Sequence, residues 1–227
     1  MRDVDQNRDR VAVLKLRLSY EILCYTRFRM TAAPSGLRER TRLAVKAELT
    51  AVAVELFSEK GYEETTVEQI AAAAGVSRSS FFRYFSSKEE VLLQAVDDTG
   101  EQVATALAQR PADEAPWTAL RRAFDDLLAT MAQHGEQSKK LTRLMLRAPA
   151  LHAAHLRKRT TWTRAIAEAL DPRLDDREPG RRRLRAMALA GAALTCLEVA
   201  QQTWIAPKSR TSLAALVDDA MSAVADF

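Results

Sequence analysis

Between Thr65 and Lys88 the chain reads TTVEQIAAAAGVSRSSFFRYFSSK, and few folds tolerate so many helix starts and stops in so short a stretch. Thr65 has Glu68 three residues on and Thr66 has Gln69, so either threonine can cap a helix while a side chain returns to its own amide. Val67, Ile70, Ala71 and Ala74 then recur at helical spacing, and Gly75 supplies the left-handed residue that ends a helix without steric cost. The first helix is therefore short. Ser77 is placed to cap a second one, with Phe81 and Phe85 on its inner face against Val76 and Ile70. Ser86 with Glu89 and Ser87 with Glu90 fit the capping box again, before Val91, Leu92 and Leu93 open a third helix.

The outer face of the second helix is the unusual one. Arg78, Ser79, Ser80, Phe82, Arg83 and Tyr84 lie mostly off the apolar stripe, and no acidic residue stands between Ser77 and Lys88. Such a surface suits a polyanion. A single helix fits the major groove of double-stranded DNA, where arginine meets guanine O6 and N7 with two bonds while serine and lysine hold phosphates. Ser87 and Lys88, beside the free amides of the third helix, make a suitable phosphate site. Taken alone, these residues also describe a well-capped helical hairpin with a polar outer face.

The segment from Arg40 to Leu93 resembles the DNA-binding domain of TetR-family transcriptional regulators, most plainly in AVELFSEKGYEETTVEQIAAAAGVSRSSFFRYFSSKEEVL. The resemblance implies that Thr66 caps its helix against a phosphate and that Arg78, Ser79 and Ser80 fall on base-reading or phosphate positions. Phe82 falls where the family usually has tyrosine, Tyr84 where it often has histidine or tyrosine, and Lys88 on the common phosphate-binding lysine. Phenylalanine at 82 cannot donate a hydroxyl hydrogen bond, so apolar contact with sugar or a thymine methyl would replace it, with Arg83 beside it to compensate.

The formal charge is +4 with a pI near 9.2, which is compatible with nucleic acid without establishing it. From Gly36 to Glu90 eight basic residues face nine acidic ones. Affinity must therefore come from placement, with Arg38, Arg40 and Arg42 at the start of the preceding helix and Arg78, Arg83 and Lys88 at the groove.

The fold class is all-α. Alanine, leucine, arginine and glutamate dominate, glycine and proline number seven each, and no persistent strand alternation follows residue 30; about nine helices are expected. Cys24 and Cys196 lie too far apart for a metal motif or a disulfide framework, which suits a reducing cytoplasm. The longest apolar run, Ala186 to Leu197, is about twelve residues against the ~20 needed to cross a bilayer, so it reads as a buried helix and no membrane partner is expected.

Residues 1–35 read as an extension without a fixed fold. Leu14 to Tyr20 alternates like a strand with no partner, and Met30 followed by TAAPSG resembles an ordinary start; a basic arm along DNA is the alternative. A first helix from about Leu37 to Lys60 carries Val45, Leu49, Val52, Ala53, Leu56 and Phe57 as its apolar stripe, and Gly61 closes it. Residues 36–90 then make the DNA-binding domain. The helix opened at Ser87 should continue to about Arg110, where Pro111 stops it, and so lead into a second domain over 91–227. Helices are expected there at about 117–134, 137–147, 151–170, 180–205 and 211–226.

Phe124, Leu128, Met145, Trp162 and Leu189 either fill a bundle core or, as the resemblance implies, line the cavity of a small apolar effector whose identity the sequence leaves open. Gly191 and Thr195 permit close helix approach, and Leu213, Val217, Ala220 and Val224 stripe the last helix. The resemblance implies a four-helix homodimer interface there, presenting two reading heads to a pseudopalindromic operator; burial within one subunit is the competing explanation.

No phosphate-binding glycine loop is present, and no catalytic residue, metal site or cofactor is expected. His152 and His155 are three apart on a helix without a third ligand, and read as a solvated or capping pair. The sequence thus points to a dimeric, ligand-responsive repressor. Rival readings are an activator or ligand-independent regulator with the same DNA head, a structural helical dimer, and an enzyme with an appended DNA-binding domain.

Overall fold

The computed structural model describes residues 36–93 and 99–225. The expected N-terminal extension, and the middle of the expected continuous helix from Ser87 to Arg110, lie outside the described residues. The chain divides into two compact units, Met1–Val96 and Asp97–Phe227. Among the described residues both are built of helices without a strand.

The first unit consists of α1 (Leu37–Lys60), α2 (Val67–Ala73), α3 (Arg78–Phe82) and α4 (Lys88–Leu93). Helix α1 packs against both α2 and α4. It therefore buries more than one stripe: Ala47, Thr50, Ala51 and Val54 are buried beside the expected Leu49, Ala53 and Phe57, while Val45, Val52 and Leu56 remain half-buried. The core of the unit is Phe57, Ile70, Phe81, Phe85, Val91 and Leu92, each at most 1 % exposed.

The two threonines at 65 and 66 divide the capping work between two helices. Thr66 makes the reciprocal box with Gln69, its hydroxyl accepting from the Gln69 amide at 3.2 Å and its own amide donating to Oε1 at 3.1 Å. Thr65, 1 % exposed, instead donates to the Gly61 carbonyl at 2.8 Å and so closes the end of α1. Gly75, at φ +71°, terminates α2 in the left-handed region as its position predicts. Helix α3 is shorter than the expected segment to Phe85. Regular helix stops at Phe82, and Arg83 to Phe85 continue as a turn bonded to the Ser80 and Phe81 carbonyls.

The second unit contains α5 (Thr99–Ala108), α6 (Pro116–Ala123), α7 (Asp125–Gln133), α8 (Gly135–Arg147), α9 (Pro149–Leu170), α10 (Pro179–Trp204) and α11 (Leu213–Ala225). The expected helix 117–134 is interrupted at Phe124, whose ring is fully buried and whose amide bonds the Arg121 carbonyl. Prolines 116, 149 and 179 open helices, as a residue without an N–H does at no cost. Helix α9 packs most extensively on α5 and α10, and α10 on α11. Where α5 meets α9 the approach is very close, for a Cβ on Gly100 would stand 2.3 Å from Cδ1 of Trp162.

At 26 residues, α10 is long and apolar enough to cross a bilayer by length and composition, which the twelve-residue apolar run alone did not reveal. In this fold it packs on α9 and α11. Ala186, Ala190, Ala193, Leu194, Leu197, Ala200 and Trp204 are buried against its neighbours. Its first turns carry Arg181, Arg182, Arg183 and Arg185.

Candidate nucleic-acid interface

Helix α3 is held from beneath and left open above. Phe81 and Phe85 fill the core side, their rings 5.7 Å apart, while Arg78, Ser79, Phe82 and Arg83 are exposed and Ser80 and Tyr84 are half-buried. The Ser77 hydroxyl accepts from the Ser80 amide at 3.1 Å and lies 2.9 Å and 3.0 Å from the Ser79 and Ser80 hydroxyls. These serines form one hydroxyl cluster at the helix start.

The cations of this face rest on its aromatics. Arg78 lies 5.3 Å from the centroid of the Phe82 ring, and Arg83 lies 5.7 Å from that of Tyr84. Phe82 in turn meets Phe81 edge to face at 5.5 Å, which fixes the ring although it is 43 % exposed. Arg78 is also paired with Glu68 of α2, Nε to Oε1 at 2.7 Å. Glu68 was expected to return to the Thr65 amide. Residues ten apart across a glycine turn carry no helical spacing, so this pairing was not legible in the sequence.

Lys88 has partners within the protein that the sequence did not indicate. Its ammonium donates to the carbonyls of Tyr62 at 2.9 Å and Thr65 at 3.3 Å, with a longer contact to Glu63 at 3.5 Å. It also lies 4.3 Å from the Tyr62 ring centroid. These contacts engage the ammonium within the protein, while the side chain remains half-buried. Tyr62 donates its hydroxyl hydrogen to Glu89. Burial foremost, and then Glu89, push the Tyr62 phenol far above its ordinary pKa. Ser87 caps α4 by accepting from the Glu90 amide at 3.2 Å, and Glu90 reaches back to the Ser86 amide and hydroxyl.

Of the remaining predicted DNA contacts, Thr66 is exposed at the start of α2, and Arg42 is forked onto Glu39 with two 2.9 Å bonds. That pair is exposed, and such pairs contribute little to stability.

In the second unit Phe124, Leu128, Met145 and Trp162 are buried and Leu189 is half-buried. Leu213 and Val217, placed by expectation on a dimer face, are 4 % and 0 % exposed within the single chain, because α11 turns them onto its neighbours. Gly191 and Ala220 are half-buried, and Thr195 and Val224 are exposed. His152 and His155 are neither solvated nor capping at Nδ1. Both of these atoms, and Oγ of Ser138, are buried without a hydrogen-bond partner. The His155 ring meets Trp162 edge to face at 5.2 Å. Beside it Arg159 pairs with Glu198 and donates to the Thr195 hydroxyl at 2.5 Å.

A short helix seated on a three-helix support, with its polar face outward and its neighbour capped at the turn, is a helix-turn-helix DNA-binding head. The family model for bacterial regulatory proteins of the tetR family matches residues 49–95, and the model for the MftR C-terminal domain matches residues 114–227. The HTH-type transcriptional regulator TcmR of Streptomyces glaucescens is 37% identical over 158 residues, covering 65% of this chain and 70% of that protein. EthR of Mycobacterium tuberculosis H37Rv is 32% identical over 153 residues, covering 63% of this chain and 66% of that protein. Among solved structures, the TetR-family repressor FadR of Thermus thermophilus in complex with lauroyl-CoA covers 79% of this chain and 93% of its own, with a TM-score of 0.52 and 25% identity. NalD of Pseudomonas aeruginosa, secondary repressor of the MexAB-OprM efflux pump, shares the fold over 83% of this chain and 95% of its own, with a TM-score of 0.54 and 20% identity.

The chain belongs to the TetR family of bacterial regulatory proteins. It is a DNA-binding transcriptional regulator.

Proposed function

We propose that this regulator is a homodimeric repressor, released from a pseudopalindromic operator by a small-molecule effector and working in the cytoplasm. Residues 36–90 serve as the DNA-binding domain and 91–227 as the effector and dimerisation domain. The observation that carries the reading is the outward cluster on α3, where Arg78, Phe82 and Arg83 stand exposed around a serine-capped helix start.

The effector reading draws support from chemistry inside the second unit. Buried polar atoms are nearly always satisfied in native proteins, and each one left alone costs about 1–3 kcal/mol. The Ser138 hydroxyl and the His152 and His155 nitrogens are orphaned, and the His155 ring meets Trp162, so a ligand with an apolar body and a hydrogen-bonding group suits this part of the unit. The dimer reading rests on Leu184, Val199 and Val224, large apolar residues left 69 %, 51 % and 45 % exposed on the last two helices.

Linkage makes the effect mutual: a coupling of roughly 1–3 kcal/mol weakens operator binding by about 5- to 150-fold. Footprinting on genomic fragments, followed by gel shift with and without extract of the native cells, tests the whole reading. Protection of a pseudopalindrome that is lost on adding extract is the expected result. Protection of no site discards the repressor reading, and a site indifferent to every extract fraction favours a ligand-independent regulator.

A further inference from the structure

The Arg78 guanidinium is restrained on two sides. Its Nε lies 2.7 Å from the Glu68 carboxylate across the turn, and its plane is backed by the Phe82 ring at 5.3 Å. Both members of the ion pair are exposed, Arg78 at 66 % and Glu68 at 59 %. The contact therefore stands on the outer surface, where a duplex would arrive. With Nε engaged, Nη1 and Nη2 form the free edge of the guanidinium. That edge is the fork that meets the two acceptors of guanine.

Glu68 is also free of the capping duty its position suggested, because Gln69 closes the box with Thr66. An exposed ion pair contributes little to folding, typically about 0–1 kcal/mol. The pairing makes better sense as a device for recognition than for stability.

We infer that Glu68 is a specificity-determining positioning residue, which fixes Arg78 as a guanine reader; the inference rests on the DNA-binding reading of α3 given above. An unrestrained arginine is drawn to the nearest phosphate, a contact that carries no sequence information. The Glu68 carboxylate opposes that outcome twice. It holds the guanidinium by Nε, and its charge repels a phosphate that approaches the same spot. Guanine presents neutral acceptors to the free fork and meets no such repulsion. Glu68 thus lowers affinity for duplexes in general while raising discrimination among them, as a repulsive element does.

The test is selection of full-length wild type, Glu68→Gln, Glu68→Ala and Arg78→Lys from a random duplex library, followed by competition binding on point variants of the enriched site. Wild type should enrich guanine at one position per half-site, by about 5- to 150-fold over other bases. In Arg78→Lys and in both Glu68 variants that preference should fall below about threefold, while affinity for scrambled duplex rises in the Glu68 variants. A merely structural Glu68 would lower binding to every duplex alike. Thermal melting of each variant near the wild-type value shows that the fold is intact, and Glu68→Gln, which keeps the side-chain shape, serves where alanine lowers it. If wild type enriches no motif, the DNA-binding reading falls and takes the inference with it. If wild type enriches a motif and the Glu68 variants keep the same guanine preference, only the role of Glu68 is overturned.

Discussion

The Lys88 ammonium lies 4.3 Å from the centroid of the Tyr62 ring and donates a 2.9 Å hydrogen bond to the carbonyl of that same residue. One cation thereby fastens the start of α4 to the segment that leaves α1, and the same segment delivers Thr65 and Thr66 to their caps. The segment held in this way leads directly into α2, the helix before the reading helix.

Lys88→Met keeps the apolar stem and removes the donors. Chemical denaturation should show the variant destabilised by about 0.5–1.5 kcal/mol, the net worth of a hydrogen bond to a part-buried carbonyl. The slope of log affinity against log salt should be unchanged. A direct phosphate contact would instead lower that slope by about 0.9, and such a drop would bear out the role the resemblance implied.

Phe82 offers a gain rather than a loss. Phe82→Tyr places a hydroxyl at the tip of a ring that is already fixed by Phe81 and backed by Arg78. Operator binding measured by fluorescence anisotropy should tighten by about two- to tenfold, the equivalent of one net hydrogen bond of roughly 0.5–1.5 kcal/mol. Unchanged or weaker binding would mean that the ring edge, and not its tip, faces the duplex.

Gly100→Ala sets two effects against each other. Alanine favours a helix interior over glycine by about 1 kcal/mol. Against that, the new methyl would lie 2.3 Å from the Trp162 ring, and overpacking of this kind costs about 1–3 kcal/mol or more. Overpacking should win, with a lower denaturation midpoint that Trp162→Leu partly restores in the double variant.

His155 gives the second unit a pH dependence of defined sign. Burial, chiefly, holds its imidazole below the ordinary value; His152 and Arg159 add to this and Glu198 opposes it. The unfolded chain takes up the proton near pH ~6.5 while the folded chain resists it, so this contribution to stability is complete above about pH 6.5 and is lost as pH falls through the folded value. Thermal melting between pH 7 and 5 should therefore fall less steeply in His155→Phe than in wild type. Parallel profiles would remove His155 from the account.

Local rules were legible where a side chain answers to its own neighbours. Gly75, Ser77, Ser87 and the Thr66–Gln69 box do what their spacing requires, because caps act over three or four residues. Contacts that depend on how helices meet were not legible. Thr65 serves α1 instead of α2, Lys88 answers to carbonyls more than twenty residues away, and Leu213 and Val217 face inward. The phase of α1 was only partly readable for the same reason. A helix covered by two partners buries Ala47, Thr50 and Val54 on a second side that no single stripe announces. Phe82 was marked as a departure from the family pattern, but its stacking on Arg78 required the fold.

Arg173 gathers the carbonyls of Leu107, Arg110 and Pro111 at 2.9, 2.5 and 2.6 Å, from the turn that follows α9. It works as a rivet through two beams. Fraying at the end of α5 must break bonds to the turn after α9, so the two ends share one stability.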